Sequence, residues 1–533
     1  MASPSAGNGN GSDRRLLLVS PPRPFGRQHG DAFSCQTNAA YQLTWAQGPF
    51  RIEDLVWHWG LDLMAANLRI PTTVLHFPTR AEFRRELHHK YSHIGFTFNP
   101  PTWHKVRPLV EDAQRLAPHA MRILGGYGAG MPEKEFAGLA DAICREEGIA
   151  FMRRLLGEPD APLIHPCISI ERRVFGVPTG ERTGVIFGAL GCPHGCEFCL
   201  TSHFHNRRKI YFHSSGKELA KTIVAAQDHD PRVTSFSVFD EDFLVDEARA
   251  RDFLAEVERS GRFIDLMIFS SVNSLSRFTP EELARMGIAR VWIGYESPRA
   301  GYHKQEGQPF AKLCRELKSF GISLLSSAIV GYDHQTEAIA REEFDALLST
   351  RPTAVQVMLF SPCFGTPAWR RLQNEGRLIA ERQQRWSVQD GYTQLFRHPH
   401  MSNDRLESLV MDLYRLDYER LGPSMFRFLE TVLEGHRRCR NHPDAFLRLR
   451  AAVFGRRLQR ALSLFPLGIA FAPNDAVRSR LSDLRRAIEA DVGPCPASHS
   501  LVAAFLLLPF LWVFLRHRAG WFTQPRPMRT VYR

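Results

Sequence analysis

Short apolar runs alternate with charged stretches of helical period from Arg15 to Phe396. Leu16 to Val19 is an apolar run halted by Ser20-Pro21-Pro22, which predicts a strand. An apolar-periodic segment follows over Ile52 to Leu68. Short strands are predicted at Thr72 to His76 and at His93 to Phe98, separated by a charged helix over Arg80 to His89. A helix is expected from Trp103 to Leu116, then a strand at Arg122-Ile123-Leu124 closing in Gly125-Gly126, then a helix over Glu133 to Glu146. Strands alternating with helices imply a parallel, Rossmann-like domain over 14–158, preceded by a disordered leader over 1–13. The strand ends of such a sheet are where a flat cofactor binds.

Residues 159–182 read as a linker, and a second alternating series begins at Thr183. Its strands are expected at Gly184 to Leu190, Ser235 to Phe239, Leu266 to Ser270, Val291 to Tyr295, Leu324 to Val330 and Ala354 to Phe360. Helical stretches lie between them, for instance Glu218 to Ala226, Asp246 to Ser260 and Pro280 to Met286. Six strand–helix repeats over 183–400 fit a partial (β/α)6 barrel better than a closed eight-stranded one. The fold class is therefore α/β, with a helical region over 401–533. There Arg437 to Phe465 interleaves arginines with Phe446, Leu447, Leu449, Val453, Phe454, Leu458, Leu462 and Leu464, which reads as a basic amphipathic helix of membrane-surface type. The run Leu501 to Leu515 is apolar throughout, contains Pro509 and is capped by Arg516-His517-Arg518. It falls short of the ~20 apolar residues that span a bilayer. Dipping into one leaflet, spanning with arginine snorkelling and burial as a C-terminal helix all stay open.

Composition changes this picture in two places. The chain has 533 residues, enough for two to four domains, and a net charge of +12. From Met401 to Arg533 there are 21 Arg, no Lys and 12 Asp and Glu, or +9, so most of the excess belongs to the C-terminal part. An acidic partner such as anionic lipid suits that tail; apolar runs without an added RNA-binding module argue against nucleic acid. Seven of the ten cysteines are scattered singly, as buried core thiols are. With no apolar export segment over Met1 to Arg14, the expected compartment is a reducing cytoplasm, with attachment to the inner membrane face through the C-terminal region.

The other three cysteines, Cys192, Cys196 and Cys199, stand in GALGCPHGCEFCLT with spacing C-x3-C-x2-C. Three thiolates on one loop can ligate three irons of a cubane and leave the fourth open to a bidentate amino-acid ligand. A zinc site completed by His194, His203 or His205 is the competing reading, although zinc knots usually pair two C-x2-C elements and only one is present.

This spacing at the end of a first barrel strand resembles the motif of the radical S-adenosylmethionine (SAM) superfamily. The resemblance covers roughly Thr183 to Phe396 and extends to the subfamily with an upstream cobalamin (B12)-binding domain. Phe239-Asp240-Glu241-Asp242-Phe243 is similar to the second-strand motif, whose acidic residues would accept the SAM amino group. Val291 to Ser297 resembles the fourth-strand segment, in which Glu296 would meet the ribose hydroxyls. Ile329-Val330-Gly331 matches the stretch beside adenine, and Phe198 would provide an apolar neighbour. Ser361 to Pro367 and Gly376-Arg377-Leu378 resemble the sixth-strand end and the turn after it. Cys363 stands there where the family has a less reactive residue, and reads as a buried bystander. Asn273 and Arg299 are further SAM-contact candidates.

Upstream, Arg15 to Pro22, Gly60 to Leu68, Ile94 to Asn99 and Leu124 to Tyr127 resemble the cobalamin-binding domain, pointing to Thr97, Gly125 and Gly126. The D-x-H-x-x-G signature of a lower axial histidine is absent; His29-Gly30 has the wrong spacing. The resemblance implies a [4Fe–4S] cluster, SAM, cobalamin, a one-electron donor of flavodoxin or ferredoxin type, and methylation of an unactivated carbon on a small or lipid-like substrate. A cobalamin-independent radical cyclase or oxidoreductase, and a non-catalytic metal-binding membrane adaptor, are the alternatives.

Overall fold

The structure, a computed structural model, describes residues 14–22, 43–52, 58–495, 497–519, 521 and 524–533. The leader and the His29-Gly30 pair lie outside the described residues, as do residues 53–57 of the segment Ile52 to Leu68; within that segment the helix is Gly60–Ala65.

Five parallel strands form the N-terminal sheet: β1 (Leu16–Val19), β2 (Thr72–His76), β3 (His93–Thr97), β4 (Met121–Gly125) and β5 (Ala142–Ile143). β5 lies where a helix was expected. The helix stops after the single turn Glu133–Glu135, because Gly138 takes φ +73° and the chain turns back to pair with β4.

The barrel sheet contains β6 (Ile168–Val174), β7 (Val177–Phe187), β10 (Val233–Phe239), β11 (Leu266–Ser270), β12 (Ile288–Tyr295), β13 (Ser323–Val330) and β14 (Ala354–Leu359). Two short strands, β8 (Ala189–Leu190) and β9 (Ile210–Tyr211), pair separately. From β7 through β14 each strand lies parallel beside its predecessor, so the six expected strands make a curled, open half-barrel. β6 adds an antiparallel strand at the β7 edge, so the stretch read as a linker holds a hairpin. Its turn is Phe175-Gly176, both at positive φ, and its charged alternation hid it from the apolar pattern.

Phe236, Val238, Ile268, Val291 and Leu324 bury one face of the sheet under helices such as Gly216–His229 and Glu247–Ser260. The concave face carries an aromatic row in register across four strands. Phe187 stacks on Phe239 at 5.8 Å, Phe239 meets Phe269 at 6.2 Å, and Phe269 stacks on Trp292 at 5.3 Å. These rings are part-exposed and lie outside the packed apolar cores.

Behind β7, the His165 ring accepts the Phe187 backbone N–H at 2.9 Å and stacks on His213 at 5.8 Å. Burial pushes both imidazoles down to about 4. Between pH 6.5 and 4 the unfolded chain therefore binds protons that the folded one excludes, so stability is full above pH 6.5 and falls as pH drops through this window. Each ring should cost about 2 kcal/mol by pH 5. Denaturant midpoints at pH 7 and pH 5 should show this loss, and His165→Gln should lose its share of the pH dependence.

The C-terminal region is helical, as expected, but Arg437 to Phe465 is not one surface helix. It breaks at Asn441-His442-Pro443 into the end of Ser424–Cys439 and the helix Ala445–Ala461. Leu447, Phe454 and Leu458 are core residues. Arg450 is fully buried and donates to the carbonyls of Ile288 at 2.8 Å, Phe320 at 3.2 Å and Gly321 at 3.3 Å. It thus binds this helix to the N-terminal ends of β12 and β13. The amphipathic pattern reflects packing against the barrel, which corrects the membrane-surface reading of this segment. The last helix, Ala497–Arg518, runs back toward the N-terminal domain, where β15 (Met528–Tyr532) pairs antiparallel with β2.

Candidate active site

The cysteine loop leaves the C-terminal end of β7 and is pinched at its base by the β8–β9 pair. Gly191 is required at that neck: φ is +76°, and a Cβ there would lie 2.2 Å from the Arg208 carbonyl oxygen. Inside the loop Ser202 Oγ donates to the Cys192 carbonyl at 2.7 Å, and the Cys199 N–H donates to the Cys196 carbonyl at 3.0 Å. Cys199 caps the short helix Leu200–Phe204. All three thiols are free of disulfides. Burial pushes Cys192 up to about 12 and raises Cys196, so these sulfurs hold their protons until a metal cation displaces them.

Zinc finds a poorer fit. His194 Nε2 is bonded to Asp242 at 2.8 Å and His203 Nε2 to the Cys196 carbonyl at 3.1 Å. His205 is buried beside Tyr127 and Phe204. Among the described residues no three His, Cys, Asp or Glu side chains are already gathered for a metal ion. The donor set on the loop is three thiols, which suits a cubane better than a tetrahedral zinc.

Beside the loop stand the acidic residues that end β10. Asp240 is fully buried between Lys209 Nζ at 2.5 Å and Arg249 Nη1 at 3.0 Å. Asp242 accepts from Ser270 and Ser274, both at 2.8 Å, as well as bonding His194. Glu241 differs: its Oε2 is buried with no hydrogen-bond partner among the described residues. Burial pushes its carboxyl up to about 7. A buried carboxylate oxygen lacking a donor fits an ammonium group, so of the two acidic SAM candidates Glu241 is the one left available, while Asp240 braces it.

Across the mouth, Glu296 forms an ion pair with Lys304 and accepts from the Tyr332 hydroxyl at 2.8 Å. Burial alone would lower Lys304, but the Glu296 carboxylate beside it holds it above the usual range. The Lys304 ammonium also lies 5.5 Å from the centre of the Phe198 ring, which meets Tyr302 and Phe360 edge-on at 5.6 and 5.9 Å. Ile329 packs in the same apolar group. Gly331, at φ +96°, follows β13, and its N–H donates to Gln335 Oε1 at 2.7 Å. Phe198, Glu296 and Ile329 thus gather beside the cysteine loop, with Glu241 just past β10 and Gly331 just past β13. Two candidates have partners elsewhere: Asn273 accepts from Arg277, just beyond its own short helix, and Arg299 faces Glu342 at 3.5 Å. Cys363 is half-buried, within electrostatic range of Cys199.

Thr97, Gly125 and Gly126 sit at the C-terminal ends of β3 and β4. A Cβ on Gly126 would lie 2.7 Å from the Phe98 carbonyl oxygen, and one on Gly128 2.2 Å from the Phe98 ring. The turn's own packing therefore requires these two glycines. Tyr127 between them reaches the other domain. Its ring meets Phe204 at 5.2 Å, and its hydroxyl lies beside Thr201 and Glu241. Trp59 lies 5.9 Å from Phe239. The strand ends of the two sheets therefore face each other across the cysteine loop.

No family model matches the chain. It is 24% identical over 228 residues to a hopanoid C-2 methylase of Rhodopseudomonas palustris strain TIE-1, covering 39% of this chain and 43% of that protein. It is 22% identical over 245 residues to a bacteriochlorophyllide d C-12(1)-methyltransferase of Chlorobaculum tepidum, covering 44% and 51%. The chain thus spans about half the length of the curated relatives it matches. Its fold is similar to the radical SAM methyltransferase TsrM of Kitasatospora setae, solved with tryptophan and the SAM analogue aza-SAM. The TM-score is 0.54 at 16% identity, over 84% of this chain and 100% of that one. TsrM solved with cobalamin and a [4Fe–4S] cluster gives the same TM-score at 16% identity over 83% and 99%.

The chain shares the fold of a radical SAM methyltransferase, and its sequence relatives are C-methylating enzymes. Around the cysteine loop the motif residues flank charged and aromatic partners, most of which no motif announced. Lys209, Arg249, Tyr302 and Lys304 are ordinary residues by spacing, Tyr127 stood in the Leu124 to Tyr127 stretch without a role, and Tyr332 had only its position beside Gly331 to point to it.

Proposed function

We propose that the chain cleaves SAM reductively at a [4Fe–4S] cluster on Cys192, Cys196 and Cys199, and with cobalamin methylates an unactivated carbon of an apolar small molecule. The observation that carries this reading is the Tyr127 contact, which sets the strand ends of the upstream domain against the cysteine loop. When bound, the cluster supplies an electron to the SAM sulfonium, giving methionine and a 5′-deoxyadenosyl radical, and cobalamin supplies the methyl group. Within the chain, the unpaired Glu241 oxygen takes the SAM ammonium. Glu296, oriented by Lys304 and Tyr332, receives the ribose hydroxyls, and Phe198 and Ile329 wall the adenine side. Thr97, Gly125 and Gly126 line the cobalamin side.

The row Phe187, Phe239, Phe269 and Trp292 offers apolar surface on the concave face, which supports a lipid-like or polycyclic substrate. The hopanoid methylase and the bacteriochlorophyllide methyltransferase among the relatives are named for substrates of that kind. Electrons come from a one-electron donor of flavodoxin or ferredoxin type on the cytoplasmic side.

Anaerobic turnover with a strong reductant tests the reading. Each methyl transferred should leave one S-adenosylhomocysteine and one 5′-deoxyadenosine, and the protein should copurify with or take up cobalamin. If 5′-deoxyadenosine forms with neither S-adenosylhomocysteine nor bound corrinoid, methyl transfer is ruled out and radical initiation alone survives.

A further inference from the structure

We infer that the helix Ala497–Arg518 is an in-plane membrane anchor that lies on an anionic lipid surface without crossing it. Its outward face is a continuous apolar stripe at helical spacing: Leu501, Phe505, Leu508, Trp512 and Leu515 are 75%, 65%, 75%, 56% and 60% exposed. Trp521, just beyond the helix, is 61% exposed. Large apolar side chains lined up in water are costly and mark a contact surface.

The opposite face is already used. Leu506, Phe510 and Val513 are buried, and the Phe510 ring meets Phe50 at 5.3 Å, Phe175 at 5.0 Å and Phe471 at 4.8 Å. The helix is long and apolar enough to cross a bilayer by length and composition, but both of its ends return to one body. The helix Asp475–Val492 packs in the helical region before it, and after it β15 pairs with β2, with Tyr532 donating to Asp62 at 2.9 Å. A spanning helix would have to place those ends on opposite sides of the membrane and strip its buried face. Lying flat requires neither.

Charge selects the occupant. From Leu501 to Arg533 there are five arginines and no lysine, aspartate or glutamate. Arg518, Arg526 and Arg533 are exposed, while Arg529 is paired with Glu86. An apolar stripe followed along the chain by arginines and no acidic residue complements anionic headgroups, with Trp512 and Trp521 suited to the interface. The inference deepens the proposed reading of a lipid-like substrate, yet its test needs no turnover, so either can fail while the other stands.

The full chain, purified with its cluster, is floated with vesicles of phosphatidylcholine, with and without phosphatidylglycerol. Binding should be at least about tenfold stronger with the anionic lipid and weaken with salt. Phe505→Ser with Leu508→Ser should reduce it about tenfold or more while 5′-deoxyadenosine formation from SAM in solution persists. These positions are exposed, so folding is spared. Failure to float with anionic vesicles overturns the proposal. So does retention after carbonate extraction, which means a span, or a dimer dissolved by the same substitutions, which makes a second copy the occupant.

Discussion

Cys192→Ser, Cys196→Ser and Cys199→Ser should each give a folded but colourless protein that forms no detectable 5′-deoxyadenosine from SAM. The three thiols are the whole sulfur donor set of the loop, and the nearest histidines are held elsewhere by Asp242 and the Cys196 carbonyl. No histidine of the loop can replace a lost thiolate, and a cubane held by two sulfurs is not retained. Folding is spared because the neck of the loop is built from backbone: the β8–β9 pair, Gly191, and the Ser202 bond to the Cys192 carbonyl survive a Sγ-to-Oγ change. Iron and sulfide content, visible absorption and 5′-deoxyadenosine yield check the outcome together. A variant that keeps iron and SAM cleavage would overturn the cluster assignment. Zinc retention with no iron in the parent protein would point to the tetrahedral alternative.

Asp240→Ala should be the most destabilising single change near the site, at about 3–5 kcal/mol. Asp240 is 0% exposed, and its two cations are almost as deep, with the Lys209 and Arg249 side chains 6% and 5% exposed. Removing the carboxylate leaves two like charges facing each other in a poorly solvated place, which costs more than the lost attraction. Typical domains have 5–15 kcal/mol in hand, so a large insoluble fraction is expected. Denaturant midpoints give the first measure. Lys209→Met added to Asp240→Ala should recover part of the loss, since one stranded charge is gone; no recovery would show that packing, not charge, carries the effect. SAM affinity should fall as well, because Asp240 precedes Glu241 and fixes the turn that aims its free oxygen.

Much of the framework was legible in sequence. The six barrel strands stand where short apolar runs bounded by turns placed them, and the cysteine loop follows the first of them. Their spacing is local information, written in the period of each segment. Errors arose where tertiary demand overrode local pattern. Glu133 to Glu146 has helix-forming composition, yet Gly138 and the open edge of β4 turned it into a strand. Arginine and leucine interleaved over Arg437 to Phe465 resembled a lipid-facing helix, but Arg450 spends its charge on buried carbonyls. Periodicity identifies an apolar face without saying what covers it.

By itself the sequence determined the α/β class, the strand order of the half-barrel and the three thiols on one loop, because each depends on residues close together along the chain. Tertiary structure alone decided which acidic side chain lacks a cation partner among the described residues. Asp240 and Glu241 are adjacent and chemically alike, yet only one is neutralised by cations brought from Lys209 and Arg249. Structure also decided that Lys304 and Tyr332 meet Glu296, and that one face of Ala497–Arg518 is covered while the other is bare. Pairing and burial are sums over residues distant in sequence, and no spacing rule contains them.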